Sequence, residues 1–411
     1  MSYTVPFFQT LVSTYPTWAE LETYLASVKV RVVGAPTDRH RILRLQATTA
    51  PEVSGWLRSV VWDTETNRPV CVAPPKAETG DVPTGSTTFS LVQDFLDGTM
   101  INAYQCLGSE PQIATRTQIG AQGTFYSEKT FAQMFAEASK MPFKAYISEP
   151  TDEKPATFVS FLLQHPDHRV VGRCHYPRLY VIHEGFVAKD GLVTIQEVPN
   201  GWPEHVGRMA PSWHPMTGFQ TQADLDSFFA SLVTSHGWFW QGLVFKDGQG
   251  KRWKMRNPNY VYLRELRGSE ASSEERFLRL RSHGKVMEYL KHFSEDRDLF
   301  WTFEQSLRAQ TQCVYMAYVD VHKTRVKKLA DLPKILQPFV FRLHAKFLES
   351  AAAGTKVSIS MKETVELVNL SPLFEKRRLL TTPTVVMPIQ ELLSQEVSQE
   401  ALSQEALSQE A

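Results

Sequence analysis

Cysteine is scarce and scattered. The four in 411 residues, Cys71, Cys106, Cys174 and Cys313, include no CxxC pair, which argues against a zinc ribbon and a disulfide framework. A reducing, intracellular setting is expected, with cytoplasm and nucleus not distinguished. Net charge is lacking too: 44 Lys and Arg balance 44 Asp and Glu, so the chain is not a uniformly basic nucleic-acid coat. No run approaches the roughly 20 apolar residues of a membrane span. The amino end has no basic segment leading into an apolar one, so no secretory signal and no membrane partner are expected. What is abundant is apolar side chain, 42% of residues, which excludes wholesale disorder. At roughly 100–200 residues per domain the length calls for two or three domains.

The first 30 residues carry a helical pattern, with Trp18, Leu21 and Leu25 on one face and Thr17 as N-cap. From about residue 28 the period drops to two. Val28–Val33, Arg41–Leu45, Ser59–Trp62, Pro69–Val72 and Leu179–Ile182 read as short strands between Gly, Pro, Asp and Asn punctuation. Helical stretches near Glu128–Ser139 and Gln222–Ser235 interrupt them. This texture predicts an α+β domain with antiparallel sheets over residues 1–270.

Beyond residue 270 amphipathic helices take over, opened by the cap-like Ser272-Ser273-Glu274-Glu275. An all-α domain over 271–351 is expected. From 352 to 411 the sequence reads as a low-complexity acidic tail ending in SQEAL repeats. A five-residue repeat steps successive leucines around a helix by about 140°, so no apolar stripe forms and a disordered tail is expected rather than a coiled coil. Residues 381–411 hold five Glu and no Lys or Arg. The neutral total is therefore a mildly basic body, five cations in excess, plus an acidic tail.

Five segments, in order, resemble the phage-type RNA ligase 1 family of covalent nucleotidyltransferases. Leu57-Arg58 through Asp63, then Pro69 to Lys76, resembles the strand leading to the nucleophile. Phe95-Leu96-Asp97-Gly98-Thr99 resembles the signature Lys-x-Asp-Gly-Ser, and Ile113 to Gly120 with Arg116 resembles the following strand and glycine turn. Phe161-Leu162, with Pro166 and Arg169, resembles Phe-Glu-x-x-x-Pro-x-Asn-Arg. Gln241-Gly242-Leu243-Val244 with Lys254-Met255-Arg256 resembles Glu-Gly-x-Val and the closing Lys-x-Lys. The likeness covers about residues 40–267. It implies an ATP-grasp-like RNA/DNA ligase domain, a nucleotidyltransferase fold with ATP as its nucleotide.

The chemistry implied by the resemblance fails at its centre. Family members attack the α-phosphate of ATP with a lysine, and carboxylates hold a metal. Here Phe95 takes the lysine's place, Leu162 the first carboxylate's and Gln241 the second's. A phenyl ring has no lone pair for phosphorus. With both acids gone, Mg²⁺ loses its hard ligands, so no metal residues are assigned. Arg58, Asp97, Gly98, Lys254 and Arg256 survive as candidate nucleotide-binding residues, and no catalytic residue is assigned. Lys76 and Lys246 are the alternatives for a displaced nucleophile. His183-Glu184-Gly185-Phe186-Val187 is a second, misplaced copy of Glu-Gly-x-Val.

Arg116, Lys246, Lys251 and Arg252 are candidate nucleic-acid contacts. Trp238, Phe239, Trp240, Trp253, Tyr260 and Tyr262 are interleaved with the charges of 241–267, as stacking platforms for single strands are; the same alternation also describes a half-buried strand. His165, His168, His175 and His183 cluster near Cys174 without tetrahedral metal-ligand spacing. Together these readings imply a degenerate RNA-ligase-like protein, a pseudoenzyme that binds single-stranded or nicked RNA, or nucleotide phosphate, without forming a lysyl-adenylate. The alternatives are an active ATP-dependent RNA ligase using a displaced lysine, and a scaffold acting through the helical domain and a protein partner of the tail.

Overall fold

The computed structural model describes residues 1–50, 53–79, 89, 91–198, 209–214, 221–355 and 358–382. The chain forms two units, Met1–Arg267 and the residues from Gly268 onward.

The first unit begins with β1 (Ser2–Val5), α1 (Pro6–Thr14) and α2 (Trp18–Ser27). Thr17 caps α2: its hydroxyl accepts from Glu20 N, and the Glu20 carboxylate accepts the Thr17 N–H at 3.0 Å, so two otherwise orphaned donors are satisfied. The alternating runs become β2 (Arg31–Val33), β3 (His40–Arg44), β4 (Val60–Asp63) and β5 (Arg68–Val72). Then come β6 (Glu78–Thr79), β7 (Leu91–Asp94), β8 (Thr99–Cys106), β9 (Gln112–Ala114) and α3 (Phe131–Ala138). The unit closes with β10 (Ala156–Gln164), β11 (Arg178–Val187), β12 (Val193–Glu197), α4 (Gln222–His236), β13 (Gly242–Lys246), β14 (Arg252–Arg256) and α5 (Pro258–Arg267).

The strands form three sheets, in the orders β1-β12-β11-β10-β8-β9, β6-β14-β13-β7 and β2-β3-β4-β5. Neighbours run antiparallel except the short β6–β14 pair, which is parallel. The period of two sorts β8 between two cores. Ile101 and Ala103 join Met134 and Phe135 of α3, while Tyr104 and Cys106 join Phe8 of α1, Leu21 and Leu25 of α2 and Val61 of β4. The β6-β14-β13-β7 sheet packs on Leu225 of α4 through Leu243, Phe245 and Trp253. The unit is α+β with antiparallel sheets, and the elements described after it are helices.

The second unit holds α6 (Ser273–Ser282), α7 (Val286–His292), α8 (Arg297–Tyr318), α9 (Gln337–Ala352), α10 (Met361–Leu370) and α11 (Leu373–Thr381). Ser272 caps α6, accepting from Glu275 N at 3.3 Å. Phe277, Tyr289, Phe293 and Phe300 form its aromatic centre, with Tyr289 stacked on Phe293 at 4.6 Å. Part of the tail expected from residue 352 is helical. Residues 361–381 are helical because α10 has its own capping box at Ser360 and Glu363, and Val368 and Leu379 are buried. The Gln310 side chain of α8 donates to Thr382 O at 2.9 Å. The SQEAL repeats lie outside the described residues. Among the described residues no helix is long and apolar enough to cross a membrane.

Candidate functional site

β14 supplies the centre of the site. Alternation sends Arg252, Lys254 and Arg256 to one face of the strand and Trp253 and Met255 into the core on the other. Arg58 arrives at the end of the tight turn Gly55–Arg58, and Arg116 follows β9. Lys76 precedes β6, and Arg31 and Arg44 are cross-strand partners of β2 and β3. These eight cations line one cavity of about 540 Å³, with Phe95 on its wall. Among the described residues no Asp or Glu lines it.

So many like charges perturb one another. Burial first, then Arg116, Arg252 and Arg256, pull the Arg58 guanidinium down to about 10. Burial, followed by Arg256, Lys76, Arg58 and Arg252, brings the Lys254 ammonium down to about 8. Arg116 is lowered by burial and by Arg44. The Lys254 ammonium donates to Ala77 O at 2.7 Å. The buried Nε atoms of Arg116 and Arg252 make no hydrogen bond among the described residues. The walls of the cavity bring cations together and supply no carboxylate of their own.

The sequence candidates divide. Arg58, Lys254, Arg256, Arg116 and Arg252 meet in this cavity, and so does Lys76. Asp97 and Gly98 do not; they line a neighbouring cavity of about 250 Å³ that also holds His165, His168 and Gln241, and Phe95 lines both. The Asp97 carboxylate is engaged in the fold. Its Oδ2 accepts from Val171 N at 2.9 Å and Gly172 N at 3.1 Å, and its Oδ1 accepts from the Tyr260 hydroxyl at 2.7 Å. Gly98 has a φ of +150°, and a Cβ there would stand 2.5 Å from Leu163 O, so only glycine allows this approach to β10.

Lys246 is a correction. It is buried in an ion pair with Glu197, 1% exposed, because β13 turns it into the core, where the Tyr3 hydroxyl also donates to Glu197 at 2.9 Å. It reaches neither nucleic acid nor the cavity. Lys251 is exposed and lies outside the cavity, paired with Glu78 at 3.3 Å and 4.9 Å from the Trp253 ring centre. The interleaved aromatics do not form one platform: Trp240, Trp253 and Tyr260 are buried, while Phe239 and Tyr262 are exposed. Glu184 lies on a different cavity, with Lys154 and Thr157. Arg31 and Arg44 were not singled out from sequence; the signal was their place at facing ends of two alternating runs.

His165, His168 and His183 have structural partners. His168 bonds Thr99 Oγ1 at 2.8 Å and Phe125 O at 2.7 Å, and His183 bonds Val72 O at 2.9 Å. Among the described residues no group of three or more His, Cys, Asp or Glu is placed to hold a metal. Mg²⁺ does not fit the residues present. Leu162 packs in an apolar cluster with Tyr180 and Ile182, and the cationic cavity offers no carboxylate.

No family model matches the sequence, and no curated protein matches it. One similar solved structure is described as "Archaeal ATP-dependent RNA ligase - form 1"; it shares 12% identity, with 73% of this chain and 74% of that chain covered and a TM-score of 0.37.

Proposed function

We propose that the first unit is an RNA-ligase-like, nucleotidyltransferase-type domain that binds the phosphates of a nucleotide or of RNA non-covalently and forms no lysyl-adenylate. The observation that carries this reading is the single cavity in which eight cations converge with no carboxylate, and with Phe95 on its wall. Guanidinium and ammonium groups are the side chains that recognise phosphate oxygens by charge and hydrogen bond. Arg58, Arg116, Arg252, Lys254 and Arg256 would hold the phosphates of ATP or of an RNA strand. The ring at position 95 supplies no electron pair for attack on phosphorus, so binding does not proceed to a covalent step there.

Of the two displaced lysines considered for an active ligase, Lys76 and Lys246, Lys76 alone lines the cavity, beside Lys254; Lys246 is sealed in the core. Incubating the full chain with α-labelled ATP and Mg²⁺ or Mn²⁺ separates the two readings. We expect no covalent label, together with salt-sensitive retention of ATP or RNA on filters. A stable protein-bound adenylate would replace the binding reading with the enzymatic one.

A further inference from the structure

We infer that this cavity takes a terminal triphosphate as the bare polyanion, with no divalent metal between the phosphates and the protein. The inference rests on the proposed phosphate-binding role and names its ligand class and charge state.

The charge balance supports it first. Eight cations lining the cavity with no acid leave a divalent ion without a protein carboxylate and place it in a repulsive field. A triphosphate monoester concentrates about four negative charges on adjacent phosphorus atoms, whereas a diester backbone carries one per nucleotide. Only the former gives most of these cations a partner within one cavity. That volume, about 540 Å³, is of the size that holds a nucleotide-sized ligand.

The donors support it independently. Arg252 is only 8% exposed and Lys254 half-buried, both in the cavity wall. The Nε atoms of Arg252 and Arg116 are shielded and without an acceptor among the described residues. Buried polar groups are normally paired, because leaving them unpaired is costly. Burial and mutual repulsion disfavour the charged forms of Arg58 and Lys254, a cost that a multiply charged anion relieves.

The test is calorimetric titration of the full chain with sodium tripolyphosphate and with ATP, each in EDTA and in excess Mg²⁺. In EDTA two oligoribonucleotides of one sequence are added, carrying a 5′-triphosphate or a 5′-hydroxyl. We expect tripolyphosphate to bind in EDTA and to weaken about tenfold or more when Mg²⁺ neutralises it, and the 5′-triphosphate to improve oligonucleotide affinity by about tenfold. ATP outbinding the triphosphorylated oligonucleotide identifies a free nucleotide as the source, the reverse an RNA end; either meets the inference. Arg58→Gln and Lys254→Gln, each with an unchanged melting curve, should lose about tenfold in tripolyphosphate affinity, and Lys251→Gln should lose none. Binding of tripolyphosphate or ATP that requires Mg²⁺, or equal affinity for the two oligonucleotides when both bind more tightly than ATP, overturns the inference and leaves the phosphate-binding role standing. Failure of every phosphate ligand to bind in either condition overturns both.

Discussion

The guanidinium of Arg256 lies 5.7 Å from the ring centre of Phe95, so the residue that stands where the family resemblance expects a nucleophile packs instead against a cation of the same cavity. A cation over an aromatic face gains about 0.5–1 kcal/mol at a partly exposed site. Replacing Phe95 with Leu removes the ring while keeping apolar bulk. The expected result is a loss of about two- to fivefold in tripolyphosphate affinity with an unchanged melting temperature. Phe95→Tyr should restore it, and equal binding by the Leu and Tyr variants would show that the ring does not position Arg256.

The low affinity of Lys254 for its proton gives a pH signature. In the free protein its ammonium titrates at about 8, against an ordinary 10.5, so the amine is charged below this range and increasingly neutral above it. A bound anion favours the charged form and moves the titration back up. Binding should therefore take up a proton between about 8 and 10.5, and affinity should fall as pH rises through that window. Calorimetry at pH 9 in two buffers of different ionisation heat measures the uptake. Lys254→Gln should remove most of it, leaving the small share due to Arg58, lowered to about 10, whereas uptake of the parent's size in that variant would assign it to another group.

Much of the site was legible before the fold was known, because alternation is a backbone property. Arg252, Lys254 and Arg256 sit two residues apart in a strand-like run, and a common face follows from period two alone. Convergence with Arg58 and Arg116 depended on strand order, which no local pattern encodes. The same alternation misled at Lys246, which is also an even-spaced cation but is neutralised in the core by Glu197, 49 residues away in sequence. Helical order past residue 352 was hidden because α10 and α11 bury Val368, Leu379 and Leu380 rather than aromatics; the Ser360–Glu363 capping box was the readable signal.

Burial of Lys246 with Glu197 makes that pair a stability element. Removing one partner strands the other charge in the core, which costs about 3–5 kcal/mol. Lys246→Met and Glu197→Gln should each lower the urea midpoint strongly. The double variant should cost less than the sum of the two, since neither member of the pair is left facing the other's absence, although Arg252 loses the same carboxylate. Additive losses in a double-mutant cycle would show that the pair is not coupled.

Asp97 belongs to the resemblance's signature, yet its oxygens are committed to Val171 N, Gly172 N and the Tyr260 hydroxyl. It ties the loop after β10 and helix α5 to the segment leading into β8. Asparagine keeps one acceptor oxygen and presents an amide to the donors that faced the other. If the oxygen serves the two backbone N–H groups, the Tyr260 hydroxyl must rotate to accept; if it serves Tyr260, two backbone donors go unpaired. The expected cost of Asp97→Asn is about 1–3 kcal/mol of stability, with tripolyphosphate affinity of the folded protein within about twofold of the parent. Lys254→Gln should show the opposite pattern, with stability retained and binding lost. Should Asp97→Asn keep its melting temperature and lose anion binding, the carboxylate would be acting on the ligand, and the separation of the two neighbouring cavities would have to be abandoned.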